Sequence, residues 1–484
     1  MNELAVSIGV VAIIALILWR YKSAFSLPFF FAAYFACIYL GLLRIHAESG
    51  GSSYAYAAEG FAMFFAGLLA ADLLFNYVIL PGLGKNKKSR QQSDSTSSAV
   101  QSKPSNQPRP TKIRLLFPVL PLNVGLFVSL SAATFLTIVF FAQQGIPILS
   151  GNPALAWVQS TSGIVNRIMT VFGPGCYAVL GLMAWAVHRE TGNRAARGMT
   201  YVGLGLSIIA DGLLGTKSAA IMVFVWFNIM LYYMNKRREF WRTLLPLIII
   251  VVPASAAIVA VRMMSTQGYW QAEGIYETYY DRLTKTAAEP LDFTFKYMSR
   301  FGPMHGRGLR LEAKRIWEQL TGQPKTPVLS EYVYNLMNDM PPNGVDLSVT
   351  LTPMGTGYVE WGLMGLLLYS FLQGLGFGFI HRYLYHAETL SIISLVLWGG
   401  ILNYAILVSS TGIILVGIEG YALSVIPPLA LLAPFSLFFL LPLARRYRES
   451  FAVNAAGNPR NMNNRGAAAN WQRKPKALQG RSAE

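Results

Sequence analysis

LLPLIIIVVPASAAIVAV, residues Leu244–Val261, carries no formal charge and stops at Arg262. A stretch of that length and apolarity comes close to the roughly 20 residues that cross a bilayer. Tyr421–Ala444 (YALSVIPPLALLAPFSLFFLLPLA) is longer and equally uncharged. After Arg262 the chain turns polar for roughly ninety residues, up to Thr350, before apolar runs resume. Over all 484 residues, 53% are hydrophobic and 13% charged, whereas soluble domains carry about 25% charged residues. The chain therefore reads as an all-α polytopic membrane protein with one long polar loop, where its chemistry is expected.

Outward from that loop, apolar runs place eleven spans near 3–19, 24–43, 56–80, 119–142, 166–187, 199–214, 218–234, 243–261, 353–379, 388–408 and 426–444, with 411–425 as a possible short or re-entrant twelfth element. Interior Pro and Gly are compatible with such helices, because neighbours re-satisfy the freed backbone groups. The resulting organisation is three N-terminal spans in 1–80, a basic linker at 81–114, five spans in 115–261, the long loop at 262–350, C-terminal spans in 351–444 and a basic tail at 445–484. The segment from Lys85 to Arg114 has eight Lys/Arg against one Asp, and the tail from Arg445 has nine against two Glu. Both are poor in large apolar residues, so both are expected to be disordered. Positive charge beside spans marks the cytoplasmic side and does not call for nucleic acid.

With eleven spans, Arg20 and Lys22, the linker, Arg189, Arg194 and Arg197, Lys236–Arg238 and Arg242, Arg382 and the tail fall on that one face. The N-terminus, 44–55, 143–165, the turn near Gly215–Lys217, the long loop and the turn near Ser409–Gly412 fall on the other. The first span is preceded only by Glu3 and lacks a small-residue cleavage site, so it reads as a retained helix. Cys37 and Cys176 lie within spans and predict neither a disulfide nor a metal site. No His/Cys/Asp cluster has ligand spacing, and no metal or other cofactor is expected.

The loop itself, with nine Lys/Arg and ten Asp/Glu over 263–350, is near neutral. Leu309–Leu320 (LRLEAKRIWEQL) reads as an amphipathic helix with Leu309, Ile316 and Leu320 on its apolar side. FGPMHGRG (Phe301–Gly308) and Gly322–Pro327 are turn-rich breaks, and Ser330 is placed to open a further helix over Ser330–Asn338. Three residues suit proton transfer: Glu360, Glu331 and His305. Glu360 sits early in the ninth span, where a carboxylate is costly unless it pairs with a neighbouring Arg or has a function. His305 also suits a plain surface position. Gly215-Thr-Lys-Ser218 offers a helix N-terminus, a hydroxyl and a cation, either an anion site or a tight turn with a snorkelling Lys217. Arg262, Arg282, Arg300, Arg307 and Arg310 supply planar forks that match phosphate oxygens. Asp72 and Asp211 read as buried polar contacts or parts of a polar cavity.

GIPILSGNP (Gly145–Pro153), GTKS (Gly215–Ser218), the long loop from Arg262 to Thr350 and TLTPMGTGYVEWGLMG (Thr350–Gly365) together resemble the bacterial O-antigen and exopolysaccharide repeat-unit polymerases, the Wzy-type enzymes. The resemblance covers most of 115–445. The Arg-x10-Gly spacing of some members is exceeded by one residue here, from Arg262 to Gly274. The resemblance implies a GT-C-like bundle in the bacterial inner membrane and a glycosyltransferase independent of nucleotide sugars. It would transfer a growing chain from undecaprenyl diphosphate onto an incoming lipid-linked repeat at the outer leaflet. Expected partners are that lipid-linked oligosaccharide as donor and acceptor, membrane lipids, a chain-length regulator and a flippase.

On that reading Lys217, Arg262, Arg282 and Arg300 hold the diphosphate, while Glu360, Glu331 or His305 accepts the acceptor's proton. Tyr269, Trp270, Tyr279 and Tyr280 either stack on sugars or anchor the loop at the interface. Rival readings are an O-antigen ligase, a flippase or transporter, and a non-catalytic scaffold.

Overall fold

The computed structural model describes residues 3–21, 25–79, 110–115, 119–150, 164–214, 219–235, 288–296, 302–321, 326–341, 351–412 and 421–434, with isolated residues between them. Met1–Leu432 form one compact unit, and Ala433–Glu484 fall outside it. Helices dominate: α1 (Glu3–Tyr21), α2 (Leu27–Ser49), α3 (Ser53–Leu74), α4 (Val119–Gln144), α5 (Ile164–Phe172), α6 (Tyr177–Thr191), α7 (Arg194–Leu213) and α8 (Ala219–Asn235) come first. After them come α9 (288–296), α10 (Arg307–Thr321), α11 (Leu329–Met337), α12 (Thr352–His386), α13 (Ile392–Thr411) and α14 (Tyr421–Pro434).

Seven of the described helical stretches are long and apolar enough to cross a membrane: α1, α2, α3 with its π-helical end, α4, the α5–α6 pair, α12 and α13. The chain is thus an all-α, multi-pass membrane protein. The expected spans at 199–214, 218–234 and 426–444 meet α7, α8 and α14. Of these, α8 and α14 are shorter apolar helices. The span expected at 243–261 lies outside the described residues.

Local chemistry sets the helix ends. The Ser26 hydroxyl accepts from the Phe29 N–H at 3.3 Å and starts α2. The α6–α7 hairpin turns on Gly192, left-handed at φ 71°, and on Asn193, whose side chain accepts from Ala195 and Ala196 N–H groups. Ser391 caps α13 in the same way. Between α5 and α6, Gly173–Cys176 interrupts the helix with a tight 3₁₀ turn at Pro174.

α12 packs closely on α3. Any Cβ on Gly374 would collide with the carbonyl oxygen of Phe64, so only glycine lets the two backbones come this near. At one end of the bundle Asp72 of α3 accepts from Arg20 of α1 at 3.0 Å and from Arg382 of α12. At that same end Tyr233 bridges the Leu27 N–H and His381. Lys112–Arg114, the last residues of the basic 81–114 segment, form a short strand β1. It pairs in parallel with β2, Thr389–Ser391.

The loop elements gather at the opposite end. Ser53 donates to Asp292 of α9 at 2.6 Å, and Thr356 donates to the Gly412 carbonyl at 2.9 Å. Among the described residues, Arg20, Lys112–Arg114 and Arg382 thus lie at one end, and Ser53, Asp292, Thr356 and Gly412 at the other.

Candidate functional site

Glu360 ends the short first segment of α12. The next two residues leave helical geometry, Trp361 at φ −141° and Gly362 at φ 61°. Only glycine takes the second conformation without strain. In a continuous helix the carbonyls of Val359 and Glu360 would accept from residues four further on. The break releases both, and the loop before α10 takes them: Met304 N–H donates to Val359 at 2.9 Å and His305 N–H to Glu360 at 2.8 Å. His305 (φ 51°) and Gly306 (φ 81°) are both left-handed, which turns the chain directly into α10.

The Glu360 side chain is 0% exposed. Its Oε1 accepts from the Leu309 N–H, 3.1 Å away in the first turn of α10. That N–H is one of the donors a helix start leaves unsatisfied, and the helix dipole favours a negative group there. Gly308 makes the approach possible, since a Cβ at that position would overlap Oε1. The second oxygen, Oε2, is buried and has no hydrogen-bond partner. Burying such an atom costs free energy, so buried polar atoms are nearly always paired. Trp361 packs on Tyr369 with ring centroids 5.7 Å apart, beside the same carboxylate. Among the described residues no Arg pairs with Glu360; its partner is a backbone N–H.

Glu331 is buried too, but both its oxygens are engaged. Arg315 donates to Oε1 at 3.2 Å and the Val328 N–H to Oε2 at 3.0 Å. The second bond caps α11, which begins at Leu329, one residue before the expected start. Ser330 lies inside the helix, its hydroxyl buried without a partner. His305 is exposed and serves the site through its backbone. Lys217, Arg262, Arg282, Arg300, Tyr269, Trp270, Tyr279 and Tyr280 lie outside the described residues.

α10 differs from the expected amphipathic helix. Its buried stripe is Gly308, Glu312, Arg315 and Glu318, while Leu309 and Ile316 are only half-buried. Glu312 accepts from the Ile414 and Leu415 N–H groups at 3.1 and 2.6 Å. Arg315 also donates to the Thr326 carbonyl at 3.0 Å. The Thr326 hydroxyl and N–H donate to Glu318 and hold its carboxyl below the usual range. Sequence reasoning passed over Glu312 and Arg315. Their spacing with Gly308, four and then three residues on, is a signal that was there to find.

The remaining candidates separate. Asp72 is tied into the ion pairs described above. Asp211 lines a cavity of about 370 Å³ with Ser207, Trp226, Asn403 and Ser424, enclosed by α5–α8, α13 and α14. Among the described residues no three His, Cys, Asp or Glu side chains converge as a metal site would require. The chain matches no family model, no curated protein and no solved structure.

Proposed function

We propose that this protein polymerises undecaprenyl-diphosphate-linked oligosaccharide repeats at the outer face of a bacterial inner membrane, making O-antigen, capsule or exopolysaccharide. The observation that carries the reading is the free, buried Oε2 of Glu360 at a break in a span, beside the helix-forming part of the long loop. Glu360 is the base: the acceptor hydroxyl passes its proton to Oε2 as its oxygen bonds the anomeric carbon of the donor. The bond from that carbon to the lipid diphosphate breaks, and the diphosphate leaves with the electron pair. Lys217, Arg262, Arg282 and Arg300 neutralise the departing charge, while Tyr269, Trp270, Tyr279 and Tyr280 position sugars. The topology that accompanies this reading has eleven spans, a periplasmic N-terminus, a periplasmic long loop and a cytoplasmic C-terminus. The positive-inside pattern supports it.

Deleting the gene and sizing the lipid-linked and surface glycans tests the activity. Loss of long polymer with single repeats remaining, reproduced by Glu360→Gln, is expected. Long lipid-linked polymer accumulating unattached would instead identify a ligase. The two interrupted spans, at Gly173–Cys176 and Trp361–Gly362, favour a second reading, a transporter of the same glycans, because transporters build sites at broken helices. In that case deletion traps the lipid-linked repeat on the cytoplasmic leaflet.

A further inference from the structure

The face of α10 opposite its buried stripe presents Arg307, Arg310, Lys314, Trp317 and Thr321, all exposed. Their spacing of three and four residues puts them on a single surface. Trp317 is 63% exposed, an unusual position for so large an aromatic side chain. Among the described residues Arg307 and Arg310 make no ion pair, and Lys314 only reaches Glu318 at 3.5 Å, a carboxylate already held by Thr326. The helix cannot roll to bury this face, because Glu360, Ile414 and Leu415, Glu331 and Thr326 hold the other side.

The position of the face follows from α12. Trp361, Met364, Leu368 and Leu372 form an exposed apolar stripe along a helix able to cross the membrane. In such a helix that stripe meets lipid chains. Gly306, just ahead of α10, lies against Trp361 at the head of the stripe. A bilayer meeting that stripe would place the first turn of α10 where the acyl chains give way to headgroups. Unpaired arginines and an exposed tryptophan at that level match the phosphate and interfacial layers of a bilayer.

We infer that Arg307, Arg310, Lys314 and Trp317 form a binding face for the phosphate headgroups of anionic phospholipids in the surrounding leaflet. The inference does not depend on the polymerase reading. The face clamps the loop to the membrane surface and so fixes the height of the Glu360 carboxylate.

Native mass spectrometry of the full-length protein, titrated with phosphatidylglycerol or phosphatidylcholine, tests it. Wild type is expected to retain phosphatidylglycerol preferentially. Each lost cation should weaken that binding about fivefold, so Arg307→Gln/Arg310→Gln/Lys314→Gln should weaken it about a hundredfold. The charge-conserving Arg307→Lys/Arg310→Lys variant should keep most of it. Equal phosphatidylglycerol retention by wild type and the triple variant overturns the proposal. Full displacement by inorganic diphosphate at micromolar concentration also overturns it, because the face would then be a site for a soluble or substrate diphosphate.

Discussion

Gly308→Ala gives a result whose sign depends on Glu360. Alone in an ordinary helix start, Ala replacing Gly stabilises by roughly 0.5–1 kcal/mol through lost backbone freedom. Gly308 has no left-handed backbone to oppose this. Its added Cβ, however, would overlap Glu360 Oε1 and approach Leu329 Cδ2 at 3.2 Å. Leu329 can yield a few tenths of an ångström. The carboxylate has to leave the Leu309 N–H, forfeiting a charge-assisted bond of about 1.5–3 kcal/mol. The net expectation is destabilisation of about 1–2 kcal/mol, the difference between those two magnitudes. In a Glu360→Ala background the obstruction is gone, and the same Gly308→Ala change should stabilise. The assay is the apparent melting midpoint of the four proteins of the cycle in one detergent, combined into a coupling energy. A Gly308→Ala effect of equal sign and size in both backgrounds would refute the contact between the α10 start and Glu360.

Arg315→Met removes the buried guanidinium that Glu331 and the Thr326 carbonyl both meet and should cost about 3–5 kcal/mol, seen as early loss of the loop to limited proteolysis. Arg315→Lys should restore little, since a single ammonium cannot reach both partners as the fork does. Asp72→Ala leaves Arg382 and the half-exposed Arg20 uncompensated, and the melting midpoint should fall by an amount equivalent to about 3 kcal/mol. Glu318 titrates below the usual carboxylate range, so its stabilising contribution is complete above the unfolded value of about 4.3 and is lost as pH falls through its lower folded value. Hydrogen exchange around Thr326, corrected for intrinsic rates, should therefore accelerate in that acid window in wild type and show no such step in Glu318→Gln.

Hydropathy and charge were enough to mark a multi-pass membrane protein and to place its seven long apolar helices. The reason is physical: both signals are summed over many residues, so no single contact decides them. Short caps such as Gly192-Asn193 were equally open to reading. The break in α12 was not, because Gly362 sits among many glycines that merely let helices approach. Nor was the β1–β2 pair, which rests on three residues meeting a strand far along the chain. α10 misled because its buried face is polar, and a hydrophobic pattern cannot report a stripe held by carboxylates and a guanidinium. Glu360 was singled out in the sequence but its partner was not, since a backbone N–H leaves no mark in a list of side chains. Arg307 and Arg310 were picked out as phosphate-matching forks, but that they share one exposed face with Lys314 and Trp317 shows only in the folded helix.

The pairing of α3 with α12 also bears on how the protein is made. Asp72 and Arg382 are 310 residues apart in sequence. At about 5–20 residues per second, a ribosome needs roughly 15–60 s to deliver one after the other. For most of that interval the nascent chain already holds α3 with an inward-facing acid and a glycine-lined groove, and the helix that fills both has not been synthesised. Arg20 is the only one of the two guanidinium partners present, and it shields the acid from the bilayer until α12 arrives. Quality-control proteases that sense polar groups in lipid thus have a defined window in which to act. A ribosome stalled before residue 352 should leave an N-terminal fragment that is cleared much faster than the finished protein.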